Sequence, residues 1–196
     1  MKNRLFLTAW ARYGVRLVCG KITALVLATT PAAAAEPVTI LALGDSLTQG
    51  YGLVAQEGFV PQLEAWLQDQ GAGVEIINAG VSGDTTAGGA ARVEWSLTPE
   101  VDAMIVALGG NDLLRGLDPG EARRNLTAIL EVAAARKLPV LLVGMEAPGN
   151  FGPDYKAEFD AIYPELAADY GTLFFADFFE GLGEADFAAL KPFFQS

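Results

Sequence analysis

The 196-residue chain contains no histidine and only one cysteine, Cys19. The missing imidazole removes the usual base for a serine nucleophile. Without His and with its one Cys so near the start, the chain also lacks the residues from which zinc, copper and iron sites are built. A hard cation held by carboxylates is still open to the chain and has no residue pattern to support it. Basic residues are scarce as well. Lys2, Arg4, Arg12, Arg16 and Lys21 lie within the first 35 residues, which hold no acidic group; residues 36–196 therefore carry eight basic against 24 acidic side chains, a net charge of −16. Such a surface repels phosphate backbones and argues against nucleic acid as a partner.

The chain offers no apolar run of the about 20 residues that a spanning helix needs. Its clustered positive start, the short apolar core over 22–29 and the small residues at 32–35 before Glu36 predict an export signal over 1–35. The expected product is periplasmic or secreted, with no stable membrane insertion. Residues 36–196 suit one domain, with a monomer favoured.

Apolar runs at 38–43, 74–77, 103–108, 140–145 and 172–175 do not alternate with polar residues, the mark of parallel strands covered on both faces. Helical patterns lie between them. Asp118-Pro119-Gly120-Glu121 predicts a helix start, with Leu126, Ile129, Leu130, Val132 and Ala133 facing the sheet until Pro139. Shorter helices are expected over 59–67 and 86–97, and another over about 153–170, kinked or split by Pro164. The β-α alternation predicts an α/β fold, an open five-stranded parallel sheet between helix layers, with the ligand site at the carboxyl ends of the strands.

Three loops fall at that edge. Gly44-Asp45-Ser46-Leu47 follows the first strand and presents a hydroxyl, either as a nucleophile or within a plain strand-to-helix turn or a flavodoxin-like phosphate cradle. Asn78-Ala79-Gly80-Val81-Ser82-Gly83-Asp84-Thr85 follows the second, where the Gly80 N–H can approach a reacting carbonyl, or Asp84 or Thr85 can cap a helix. Gly109-Gly110-Asn111-Asp112 follows the third; Asn111 can donate to an oxyanion, or the residues can form a turn.

With these motifs in this order, residues 38–195 resemble the SGNH, or GDSL, hydrolase family, near its secreted arylesterase, acyl-CoA thioesterase I and lysophospholipase branch. The resemblance implies a flavodoxin-like three-layer α/β/α sandwich and a ping-pong acyl-enzyme route without metal or cofactor. It assigns Ser46 as nucleophile, and Gly80, Asn111 and the Ser46 N–H as oxyanion donors. The implied substrates are small acyl esters, thioesters or lysophospholipids. Asp45, Leu113, Leu114, Leu117, Asn150, Phe151 and Tyr155, with Phe159, are candidates for the substrate wall; core packing is the alternative for the apolar ones.

The family's fourth block, Asp-x-x-His, has no counterpart. The sequence ends in Leu190-Lys191-Pro192-Phe193-Phe194-Gln195-Ser196, where that block is expected to begin. The expectation is a domain without its last helix and without its catalytic Asp and His, with activity lost or strongly impaired. Asp45, Asp112 and Asp177 are the carboxylates nearest the site in sequence, but an ordinary carboxylate is a weak base toward serine. A non-catalytic acyl-chain or lipid binder is the second class, and a flavodoxin-like FMN binder the third.

Overall fold

The computed structural model describes residues 36–180. The expected leader and residues 181–196 lie outside them. Each of the five apolar runs supplies a strand: β1 (Val38–Gly44), β2 (Val74–Gly80), β3 (Ala103–Ala107), β4 (Val140–Val143) and β5 (Leu173–Phe175). They form one parallel sheet in the order β2-β1-β3-β4-β5. The chain passes from β1 outward to β2 and then returns to β3 on the other side of β1. Connections leaving β1 and β3 therefore diverge, and a crevice opens between them at the carboxyl edge.

Strand residues alternate between two cores. Leu41, Leu43, Met104, Val106 and Leu142 point to one face, where they meet α3 (Thr86–Ser96), α5 (Pro119–Ala135), α6 (Pro153–Asp160) and α7 (Ile162–Tyr170). Ala42, Ile105, Ala107 and Val143 point to the other, where α2 (Phe59–Asp69) and Phe178 pack. The sheet thus lies between helix layers, as expected. Among the described residues α2 is the only helix on the second face, and edge strand β5 leaves Leu173, Phe174 and Phe175 exposed.

The helix starts follow local chemistry. Asp118 caps α5 by accepting from the Glu121 N–H at 3.1 Å, with Pro119 in the first turn, where its missing N–H costs nothing. Leu126, Ile129, Leu130 and Ala133 are buried beneath it, and Val132 half-buried. The long helix expected over 153–170 is divided at Ala161, before Pro164 rather than at it. Pro164 falls in the first turn of α7, where no intrahelical N–H bond is lost.

Two short helices escaped the sequence patterns: α1 (Ser46–Gln49) and α4 (Gly110–Leu114), each directly after a strand. In register, Gly44 stands opposite Gly80 on β2 and Ala107 on β3, so the three loops leave the sheet at one level.

Candidate active site

Ser46 opens α1, and Asp45 before it caps the helix, accepting from the Leu47 N–H at 3.0 Å. Asn111 in α4 donates its Nδ2 to the other Asp45 oxygen at 3.2 Å, which leaves the second amide hydrogen for a ligand. Asp45 is buried, and burial raises its carboxyl above the usual range, opposed by the bonds from Leu47 and Asn111. Ser46 and Asn111 line the same cavity.

Buried polar groups hold these loops. Asp112 accepts from the Thr86 N–H at 2.9 Å and the Thr86 hydroxyl at 2.7 Å, which locks α4 to the start of α3. Tyr163, fully buried, donates its hydroxyl to the Leu108 carbonyl at 2.9 Å; burial, with Asp112 and Asp45 nearby, raises that phenol well above its ordinary value. Arg92 donates to the Gly44 carbonyl (2.8 Å), the Ala79 carbonyl (2.7 Å) and Asp84 (2.6 Å), joining the ends of β1 and β2. Thr85, one of the two expected cap residues, accepts from the Gly88 N–H at 3.4 Å and starts α3.

Gly80, expected as an oxyanion donor, has a partner within its own loop. Its N–H donates to Asn78 Oδ1 at 2.9 Å, and a Cβ there would lie 2.2 Å from the Gln49 backbone nitrogen. Gly80 is needed where β2 meets α1, and its N–H is already bound within the protein. Asn78 completes the join by donating to the Thr48 carbonyl at 3.1 Å. Gly83, later in this loop, has φ +81°, and Arg115 donates to its carbonyl at 2.9 Å. Next to it, the Ser82 N–H donates to Gln49 Oε1 at 3.0 Å, which lays the loop along α1.

The cavity measures about 410 Å³. Of the residues expected in its wall, Asp45, Leu113, Leu114, Asn150 and Phe151 line it, but Leu117 and Tyr155 do not. The Tyr155 hydroxyl donates to the Leu117 carbonyl at 3.0 Å, and its ring lies 5.0 Å from Phe151 and 6.1 Å from Phe159, so Tyr155 supports the wall from behind. Phe159 is wholly buried in the core. Pro148, in the loop expected to form part of the wall, lines it too, whereas Leu47, Met145, Glu146 and Phe179 were missed; β4 ends at Val143, which frees Met145 and Glu146 to turn toward the cavity.

Asp112 has both carboxylate oxygens committed to Thr86, and Asp45 has both committed to Leu47 and Asn111. Asp177 is not in the cavity lining. Among the described residues no cluster of acidic side chains is arranged to hold a metal ion.

Residues 42–192 match the GDSL-like Lipase/Acylhydrolase family. The chain belongs to this family. It is 42% identical over 161 residues to esterase TesA of Pseudomonas aeruginosa, covering 82% of this chain and 79% of that one. Over 147 residues it is 39% identical to thioesterase 1/protease 1/lysophospholipase L1 of Escherichia coli K12, covering 74% of this chain and 68% of the relative. The crystal structure of AlinE4, an SGNH-hydrolase family esterase, superposes with a TM-score of 0.76 at 48% identity, over 80% of this chain and 84% of that one. The five-stranded parallel sheet flanked by helices is the fold of these hydrolases, and family membership sets the FMN reading aside.

Proposed function

We propose that this domain is an acyl-ester hydrolase in which Ser46 attacks the acyl carbonyl and the acyl chain lies in the adjoining cavity. The observation that carries this is the placement of Ser46 beside Asn111 at an apolar cavity, with the Asn111 amide oriented by the buried Asp45. Negative charge on the carbonyl oxygen is received by the second Asn111 N–H, the Ser46 N–H and, in place of Gly80, the Gly83 N–H. The alcohol, thiol or lysolipid leaves, and water releases the acid from the acyl-enzyme.

Each of these steps moves a proton, and the 196 residues hold no histidine to carry it. Asp45 and Asp112, in the site loops, have both carboxylate oxygens engaged in hydrogen bonds, so neither substitutes as base. The 196-residue chain is therefore expected to bind esters better than it turns them over. A segment carrying an Asp-x-x-His block, joined to Ser196, should restore hydrolysis of p-nitrophenyl esters, and Ser46→Ala in that chain should abolish it. Equal hydrolysis with and without Ser46 would overturn the nucleophile assignment.

A second reading is a degenerate hydrolase that holds acyl chains without cleaving them, for which the apolar cavity beside Ser46 would serve as the binding site. Covalent labelling of Ser46 by a fluorophosphonate would count against it; lysolipid binding without labelling would support it. Export of the domain by residues 1–35, to the periplasm or beyond, and action as a monomer are part of the proposal. No helix among the described residues is long and apolar enough to cross a membrane.

A further inference from the structure

The loop after β2 closes a turn over residues 81–84. The Asp84 N–H donates to the Val81 carbonyl at 3.0 Å, and Gly83 supplies the positive φ that a type II turn needs at its third position. The Val81 N–H is bound to the Gly44 carbonyl at 3.0 Å, and the Ser82 N–H to Gln49 Oε1 at 3.0 Å. The N–H of Gly83, in the middle peptide of the turn, has no acceptor among the described residues. The turn therefore has one backbone donor to offer to a ligand.

Two side chains hold the tip of this turn, one from each helix that carries a site residue. β1 lies between β2 and β3 in the sheet, so the bond from Arg115, which ends α4, to the Gly83 carbonyl spans the end of β1, where Ser46 stands. Gln49 closes α1, the helix that Ser46 opens, and reaches the Ser82 N–H from there. Gln49 thus holds the peptide before the Gly83 N–H, and Arg115 the peptide after it. The stem of the loop is anchored separately, by Arg92 to the Gly44 and Ala79 carbonyls and by Asn78 to the Thr48 carbonyl. Gln49 itself is exposed, so its bond acts on the turn rather than on the core.

Resting on the hydrolase reading of this site, we propose that Gln49 is a positioning residue: by holding the Ser82 N–H it sets the Gly83 N–H over Ser46 as an oxyanion donor, with Asn111 donating from the β3 side. Gln49 touches no substrate and acts through the turn. An oxyanion donor is effective because it is in place before the charge develops, and a misplacement of about 1 Å at such a site costs about 10²-fold. This role does not depend on the catalytic base, so it is open to test in the chain as it stands.

Calorimetric titration of the 196-residue chain with two ligands of equal chain length tests this. Octylphosphonate carries charged oxygens that stand in for the oxyanion; 1-octanol offers the same chain with a hydroxyl. Gln49→Met removes the acceptor at nearly constant length and unchanged charge. It should weaken octylphosphonate about three- to tenfold and leave 1-octanol within about twofold, and Asn111→Ala should show the same split. Heteronuclear NMR should show the Gly83 amide proton moving downfield as octylphosphonate is added, and moving less in Gln49→Met. Equal losses for both ligands, no loss with Gln49→Met where Asn111→Ala shows one, or a Gly83 amide that does not respond would each overturn the role of Gln49 and leave the hydrolase reading standing. Octylphosphonate binding indifferent to Asn111→Ala as well, or failure of both ligands to bind, would overturn the two together.

Discussion

The side-chain amide of Asn111 donates to the buried carboxylate of Asp45 across 3.2 Å, so the loop after β3 is tied to the residue that precedes Ser46. Burial raises the Asp45 carboxyl, which means that its ionised form works against folding. The associated stability is fully present below its ordinary value of 3.8 and is lost as pH rises through its higher folded value. Asp45→Asn removes this titration. The melting temperature of the variant should gain on that of the native chain as pH is raised from about 4 toward about 7, read from paired thermal melts. A constant offset over that range would show that Asp45 does not titrate in this way.

Asn111→Ala removes one oxyanion donor while leaving the cavity open. In a chain completed with an Asp-x-x-His block, kcat on p-nitrophenyl esters should fall about 10²- to 10³-fold with KM nearly unchanged, since the bond strengthens only as charge develops. Steady-state kinetics separate the two constants. A rise in KM alone would instead make Asn111 a ground-state contact.

The strands were legible because parallel strands buried on both faces must be apolar without alternation, and each such run supplied one. The α5 start was legible for a similar reason: Asp118, Pro119 and Glu121 act within one turn of chain. The choice between Gly80 and Gly83 was not. Both lack a side chain, and what separates them is the Asn78 oxygen that turns back onto the Gly80 N–H, together with the backbone of α1 packed against its Cα. The cavity wall was legible only in part. Leu113 and Leu117 look alike in sequence, yet Leu113 lines the cavity while the backbone of Leu117 is held by Tyr155. Met145 read as part of a strand because apolar residues continue past the last sheet pairing at Val143.

Arg92 is a buried guanidinium 8% exposed, with bonds to two strand-end carbonyls and to Asp84. Arg92→Ala leaves the Gly44 and Ala79 carbonyls without a donor and Asp84 without its cation. The expected loss is about 3 to 5 kcal/mol, the range for breaking a buried charged pair from one side. Urea unfolding followed by circular dichroism measures it. A change below about 1 kcal/mol would mean that water replaces the guanidinium without cost.

Edge strand β5 presents Leu173 at 70% exposure beside the exposed Phe174 and Phe175, on a sheet whose second face holds only one helix among the described residues. An exposed apolar edge is a template for pairing with another chain, and natural edges blunt it with a charge, often lysine. Leu173 contributes little burial, so Leu173→Lys should shift stability by less than about 0.5 kcal/mol. Its effect should appear instead in association: slower growth of light scattering on heating, at unchanged melting temperature. If scattering grows at the native rate, another surface drives association, and the exposed edge of β5 is not the weak point of the domain.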